Sequence, residues 1–316
     1  MILEKQMKIG LALGSGSARG WSHIGVIREL EDAGIKIDYL AGTSIGAFVG
    51  AFYASGNLDY LEAFALQMDW KAIISFFDVG FPIRGLLDGE KIYQLVSEEI
   101  LTEKIEDTKI PFHTVSTDLK TGKEYIFKNG SLVDAVRASI SIPGIFTPFK
   151  NLVDGGLVNP VPVDVVRNMG ADIVIAVDLN HDLVENQSKI KNEPSIDKES
   201  FRGKIDNLIA KSNIKAIQTI KEKYQNIEES VSLQLNKWKL DKNEMNIFEI
   251  IGTSVNIMEQ RITQNNLEIH KPDILLQPAL GHLGLFDFDQ AAETIEEGRK
   301  VTKKAFTEIL NIMDAQ

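Results

Sequence analysis

The stretch IDYLAGTSIGAFVGAFYASG, residues 37–56, holds a strand, a sharp turn and a helix in succession. Ile37, Tyr39, Leu40 and Ala41 form a short apolar run of the kind that makes a buried strand, and the small and apolar residues from Ala47 to Ala54 predict a helix packed inside the protein. Ser55-Gly56-Asn57 ends that helix. Between strand and helix lies Gly42-Thr43-Ser44-Ile45-Gly46, the G-x-S-x-G spacing of a nucleophile elbow. A serine on such a bend adopts strained backbone angles, and side chains two residues to either side would collide with strand and helix. The bland alternative is a tight turn with a buried serine.

Moving outward, Lys8 to Leu13 predicts a first strand that runs into the glycine-rich loop Gly14-Ser15-Gly16-Ser17-Ala18-Arg19-Gly20. An amphipathic helix follows from Trp21 to Ala33, with Gly34 as its stop. Downstream, helices are expected over Leu58–Met68, from Asp88 or Gly89 to about Ile100, over Ser131–Ser139 and over Asp164–Met169. Strands are expected at Ile110–Ser116, Glu124–Phe127, Leu152–Val153 and Asp172–Leu179. Residues 75–90, apolar and rich in glycine, suit a pocket rim. The composition turns charged between Asp182 and Lys204, which reads as a surface loop. Apolar positions at helical spacing then run through 205–237, followed by a long helix over Asn246–Glu268, a late strand at Asp273–Leu276 and a closing helix over Ala291–Met313. Strands alternating with helices imply an α/β fold, a three-layer α/β/α sandwich on a mostly parallel central sheet. We expect a single domain, residues 1–316. Its parts are a core over 7–180, a charged helical insertion over 182–245, and C-terminal helices with the late strand over 246–316.

Bulk properties narrow the function. A net charge of −11 over 316 residues opposes broad nucleic-acid binding, which relies on basic surface. The absence of cysteine excludes disulfides, thiolate metal sites and a cysteine nucleophile. Residues 39–58 carry no charge and could span a bilayer by length, but the embedded G-x-S-x-G makes a buried core segment the better reading. The first seven residues lack the apolar core of a signal peptide, and a cytoplasmic location is expected.

Two chemistries compete for loop 14–20. A dinucleotide fingerprint would place its third glycine three residues after Gly16, whereas Gly20 comes four after it, and the next strand ends in the elbow rather than in a ribose-binding acid. An oxyanion hole fits better. Acyl transfer puts charge on a carbonyl oxygen, and each preorganised N–H donor there contributes on the order of 3 kcal/mol. Gly16 and Ser17 are the candidate donors, and Arg19 either adds positive charge or sits solvated in the first turn of the helix. The serine also needs a base. None of His23, His113, His181, His270 and His282 lies in a purpose-built turn. Asp154 precedes Gly155-Gly156 after a short strand, but an aspartate in an Asp-Gly turn usually binds its own backbone. Spacing leaves both roles open.

The run LALGSGSARGWSHIGVI (11–27), then AGTSIGA (41–47), then VDGG (153–156) resembles the patatin-like phospholipase family, especially its compact bacterial members. The likeness covers residues 7–180. SISIPGIF (139–146) is similar to the family's stretch before the aspartate turn, and NIFEII with MEQRIT to the C-terminal helix of the bacterial group. The resemblance implies a Ser–Asp dyad with no catalytic histidine. Ser44 would be the nucleophile and Asp154 the base, with Gly14, Ser15, Gly16, Ser17, Arg19 and Gly20 around the oxyanion. Gly42, Gly46, Gly155 and Gly156 would shape the elbow and the acid turn. Serines at 15 and 17 replace glycines often found there.

The expected activity is hydrolysis of carboxylic esters of lipids, of phospholipase, lysophospholipase or esterase type, with no metal and no cofactor. The partner is a lipid or acyl-ester substrate, not nucleic acid. The long helices are compatible with self-association and with a peripheral membrane contact. Two rivals remain at this stage: an acyltransferase using the same elbow with a histidine base, and a regulatory binding protein with a weakly active pocket.

Overall fold

The computed structural model describes residues 7–68, 89–100, 102–183 and 247–314. Nearly all of the expected rim at 75–90 and of the insertion at 182–245, including the helix foreseen over 205–237, lies outside the described residues.

A seven-stranded sheet forms the middle layer. Its strands are β1 (Ile9–Leu13), β2 (Tyr39–Thr43), β3 (Phe112–Asp118), β4 (Glu124–Phe127), β5 (Leu152–Asp154), β6 (Ile173–Val177) and β7 (Ile274–Leu276). The order is β4-β3-β2-β1-β6-β7, with β5 also paired to β3. The chain builds outward from β1 through β2 to β3, then returns to the other side of β1 for β6 and β7. The order therefore switches at β1, where open α/β sheets place their sites beyond the carboxyl ends of the strands. The run β3-β2-β1-β6-β7 is parallel throughout. Such strands are covered on both faces, and β1 and β6 are accordingly buried along their whole length.

Strand alternation divides the core in two. Leu11, Leu13, Leu40, Ile175 and Val177 face one layer with α1 (Ser22–Asp32), α2 (Ile45–Ser55) and α8 (Ala291–Asp314). Ala12, Ala41, Val174 and Ala176 face the other, against Val163, Val165 and Val166 of α6 (Val163–Met169). The smaller side chains on this second face let the helix lie close to the sheet. The remaining described helices are α3 (Leu58–Gln67), α4 (Glu90–Glu99), α5 (Leu132–Ser139) and α7 (Ile247–Ile269).

Two features depart from the sequence reading. Loop 14–20 is open only as far as Gly16, because Ser17–Trp21 wind into a 3₁₀ turn that leads into α1. Strand β3 starts two residues late, since Pro111 has no N–H to give and only its carbonyl joins the ladder, accepting from Leu40. Both β4 and β5 run antiparallel to β3. The uncharged run 39–58 is β2, the elbow and the almost wholly buried helix α2. No helix among the described residues is long and apolar enough to cross a membrane.

Candidate active site

The pairing of β5 brings the two ends of the site together. Along one edge of β3, β2 pairs as far as Thr43 opposite Val115, and β5 takes over with Asp154 opposite Ser116. β5 runs antiparallel, so it approaches the end of β2 head-on. Ser44 and Asp154, 110 positions apart in the chain, thus arrive at adjacent points on one row. The Ser44 hydroxyl donates to Asp154 Oδ2 at 2.5 Å.

Ser44 holds φ 57° and ψ −123°, a conformation that non-glycine residues rarely adopt. Its N–H donates to Ser139 Oγ at 2.9 Å, and Ser139 in turn donates to the Val115 carbonyl at 2.5 Å. The helix end at Ser139 thus clamps the bend onto β3. Thr43 Oγ1 donates to the Asn159 carbonyl, tying the elbow to the chain just after the acid turn. The fully buried Asp154 receives the Gly156 N–H on Oδ1 at 2.8 Å, and its own N–H donates to the Ser141 carbonyl. Burial, reinforced by the nearby carboxyl of Glu259, pushes the Asp154 carboxyl well above its usual range, against the opposing pull of the Ser44 and Gly156 donors.

The glycine loop borders this pair. Gly14, Ser15, Ala18 and Arg19 spend their N–H groups on the carbonyls of Val177, Pro160, Leu285 and Gly16. Among the described residues, the Gly16 and Ser17 N–H groups receive no such partner. Ser17 sits at φ 50° and is the one residue of the loop that lines the pocket. Gly20 lies against Ile45 at the start of α2, where a methyl would meet its side chain at 2.1 Å. Arg19 is fully buried rather than solvated, and its Nε donates to the Gly16 carbonyl at 3.0 Å. It does not line the pocket. Burial lowers its guanidinium to about 10, in spite of Glu259, Asp182 and Asp178 nearby.

In front of Ser44 opens a concave pocket, the usual form of a small-molecule site. Its walls are almost entirely apolar, with Trp21, Phe48, Phe64, Phe146, Phe286 and Phe288 the largest side chains. Phe288, just before α8, is held by Trp21, whose Nε1 donates to its carbonyl and whose ring meets its ring edge-on.

No histidine lines this pocket or bonds Ser44 among the described residues. His23 is fully buried and supports the loop instead, its Nε2 lying 2.8 Å from the Gly14 carbonyl and therefore carrying the proton. Burial holds its imidazole down at about 4. The unfolded chain takes up this proton near pH 6.5, so between those values it binds more protons than the folded one, and stability falls as pH falls. His23 alone accounts for up to about 3 kcal/mol of that loss. Urea unfolding at pH 7 and pH 4.5 is expected to show a smaller acid loss in His23→Gln than in the wild type.

Several supporting residues were not singled out from the sequence. Ser139 and Ser141 fall in the SISIPGIF run but carry no signal of their own there. Arg137, one turn earlier, donates to Ser141 Oγ at 2.6 Å and stacks over the Phe146 ring, bracing the pocket wall. Glu259 of α7 accepts from Ser15 Oγ at 2.7 Å.

The sequence profile of the patatin-like phospholipase family matches residues 11–167. An uncharacterized NTE family protein of Mycobacterium tuberculosis is 29% identical, over 94% of this chain and 91% of that one. Patatin-like phospholipase domain-containing protein 6 of Homo sapiens is 36% identical over 54% of this chain and 13% of its own length. Neuropathy target esterase sws of Drosophila melanogaster matches with the same identity and shares. Among solved structures, VipD from Legionella pneumophila aligns over 95% of this chain and 66% of that one, with a TM-score of 0.42 and 13% identity. Through residues 11–167, which span the glycine loop, the elbow and the acid turn, the chain belongs to the patatin-like phospholipase family.

Proposed function

We propose that the protein is a serine acyl hydrolase that cleaves carboxylic esters of lipids through Ser44 and Asp154. The observation that carries the reading is the 2.5 Å contact between the two side chains at the floor of an apolar pocket. Family membership supports lipid hydrolysis in general; the dyad and its roles are our reading of the geometry.

Asp154, ionised, accepts the proton of the Ser44 hydroxyl as Oγ attacks the acyl carbonyl. The Gly16 and Ser17 N–H groups stabilise the oxygen that becomes negative. Collapse of the tetrahedral intermediate expels the alcohol, which takes the proton back from Asp154 and leaves an acyl ester on Ser44. Water then attacks this ester, giving its proton to Asp154, and Ser44 recovers its own as the fatty acid departs. A carboxylate is a weak base in water, but burial makes Asp154 a stronger one. The apolar walls accommodate the acyl chain and keep bulk water from competing for Asp154. The same reading joins residues 246–316 to the catalytic core as one unit, supported by the Ala18 N–H bond to the Leu285 carbonyl.

Reaction with a fluorophosphonate probe tests this directly. We expect covalent labelling of Ser44, found by peptide mass mapping, and hydrolysis of acyl esters in water with no acceptor added. A protein that labels nowhere and turns over no ester at any acyl length from C4 to C16 would end the proposal.

A further inference from the structure

We propose that Glu259 is a positioning residue for the dyad: from α7, beyond the stretch that defines the family, it seats its carboxylate over the acid turn, ties that turn to the glycine loop, and sets the pH at which the site becomes active. The proposal rests on the Ser44–Asp154 reading.

Geometry comes first. A methyl at Gly156 would lie 2.1 Å from Glu259 Oε1 and 3.1 Å from Asp154 Oδ1. The second glycine of the acid turn therefore clears the space that Glu259 fills beside the aspartate. The other oxygen, Oε2, accepts from Ser15 Oγ at 2.7 Å and from Asn180 Nδ2 at 3.3 Å. One buried carboxyl thus spans three segments: the glycine loop, the turn after β5 and the chain after β6. Its helix is pinned close by, since Gln260 Nε2 donates to the His181 carbonyl at 2.7 Å and Asn266 Nδ2 to the Val158 carbonyl at 3.1 Å. Ser15 supplies the shorter of the two bonds to Oε2 and is the link from Glu259 to the glycine loop.

The charge has a consequence for the dyad. Glu259 is faced by Ser15 and Arg19 from the loop and its 3₁₀ turn, by Asp154 from β5, and by Asn180 from the chain after β6, while Asp178 and Asp182 from that same chain act on Arg19. Burial holds the Glu259 carboxyl above its usual range, against the opposing pull of Ser15, Arg19 and Asn180, so it ionises later than a solvated glutamate. With Glu259 ionised, a second negative charge on Asp154 is disfavoured, so Asp154 keeps its proton to higher pH. Dyad activity requires Asp154 ionised. It therefore appears only as pH rises through the raised value, and Asp154 is then the stronger base.

The test is a pH–rate profile of kcat/KM for a p-nitrophenyl acyl ester, measured on the full chain by pH-stat. Glu259→Gln keeps the length and the acceptor for Ser15 but removes the charge. The acid limb is expected to move down by at least one pH unit, with the high-pH plateau falling less than tenfold. Glu259→Met carries the same expectation and serves if the glutamine variant does not fold. A variant profile that overlays the wild type's, with Ser44→Ala inactive, overturns the role of Glu259 and leaves the dyad standing. A folded Glu259→Gln without turnover at any pH also overturns it, because that result marks a group the reaction requires rather than one that tunes it. Activity that survives Ser44→Ala removes the dyad, and this proposal with it.

Discussion

Ser44→Ala and Asp154→Asn are each expected to lower ester hydrolysis by a factor on the order of 10⁴, and the double variant no further than the worse single. In the proposed dyad the two side chains act as one unit through a single 2.5 Å contact, so removing either leaves the other without a task. Circular dichroism should show both variants folded. Their stabilities should nevertheless differ, and this separates a mechanistic loss from a structural one. Asp154 is buried with its carboxyl held well above the ordinary range, so above the unfolded value near 4 the folded chain carries the extra proton. Stability therefore falls as pH rises through the interval between the two values. Asparagine removes that cost while keeping an acceptor for Gly156. Asp154→Asn should consequently melt higher than the wild type at pH 8, with the gap narrowing toward pH 4. An Asp154→Asn protein that hydrolyses esters within tenfold of the wild type would exclude the aspartate as base.

The order of strands and helices was legible because its signals are local. The apolar run at β2, the small residues of α2, and Gly34, Gly56 and Gly170 at helix ends each act within a few positions. The pairing that assembles the site is not local. β5 has three residues, too few to show a period of two, and its antiparallel partner lies 36 positions or so earlier, so nothing nearby announces that it continues the row of β2. The carboxylate of Glu259 is hidden for a similar reason. On a 23-residue helix an isolated acid reads as a solvated face, and only the docking of α7 over the acid turn buries it. Arg19 follows the same rule, since loop 14–20 alone cannot reveal that later segments close over it. Motifs single out Ser44 and Asp154, whereas residues packed around them, such as Asn180 and Glu259, come from segments far along the chain.

Gly46→Ala is the substitution expected to injure the site most without touching a reacting group. A methyl at Gly46 would lie 2.1 Å from the Leu13 carbonyl oxygen and 2.8 Å from that of Gly14. Neither atom can yield cheaply, because β1 is held by β2 on one side and by β6 on the other. Moving α2 instead is opposed from the far side of the bend, where a methyl at Gly42 would already lie 2.3 Å from the Gly46 carbonyl oxygen. The elbow is thus wedged between its own strand and the neighbouring one. Overpacking of this kind costs about 1–3 kcal/mol in adaptable cores, and more where backbone is the obstacle. We expect a loss of about 3 kcal/mol or more in urea unfolding. The chemistry should suffer in the same variant, because Ser44 rides on the displaced bend while the Gly16 and Ser17 N–H groups stay with β1. A misplacement of about 1 Å between attacking oxygen and oxyanion donors lowers turnover by roughly 10². Gly284→Ala makes the control: that glycine is exposed, and a methyl there would come no nearer than 3.2 Å to any atom, that atom being the Asp287 oxygen that already accepts the Gly284 N–H. It should be close to neutral in both measurements. If Gly46→Ala instead matches the wild type in stability and turnover, close packing of strand against elbow is not what holds Ser44 in its strained conformation.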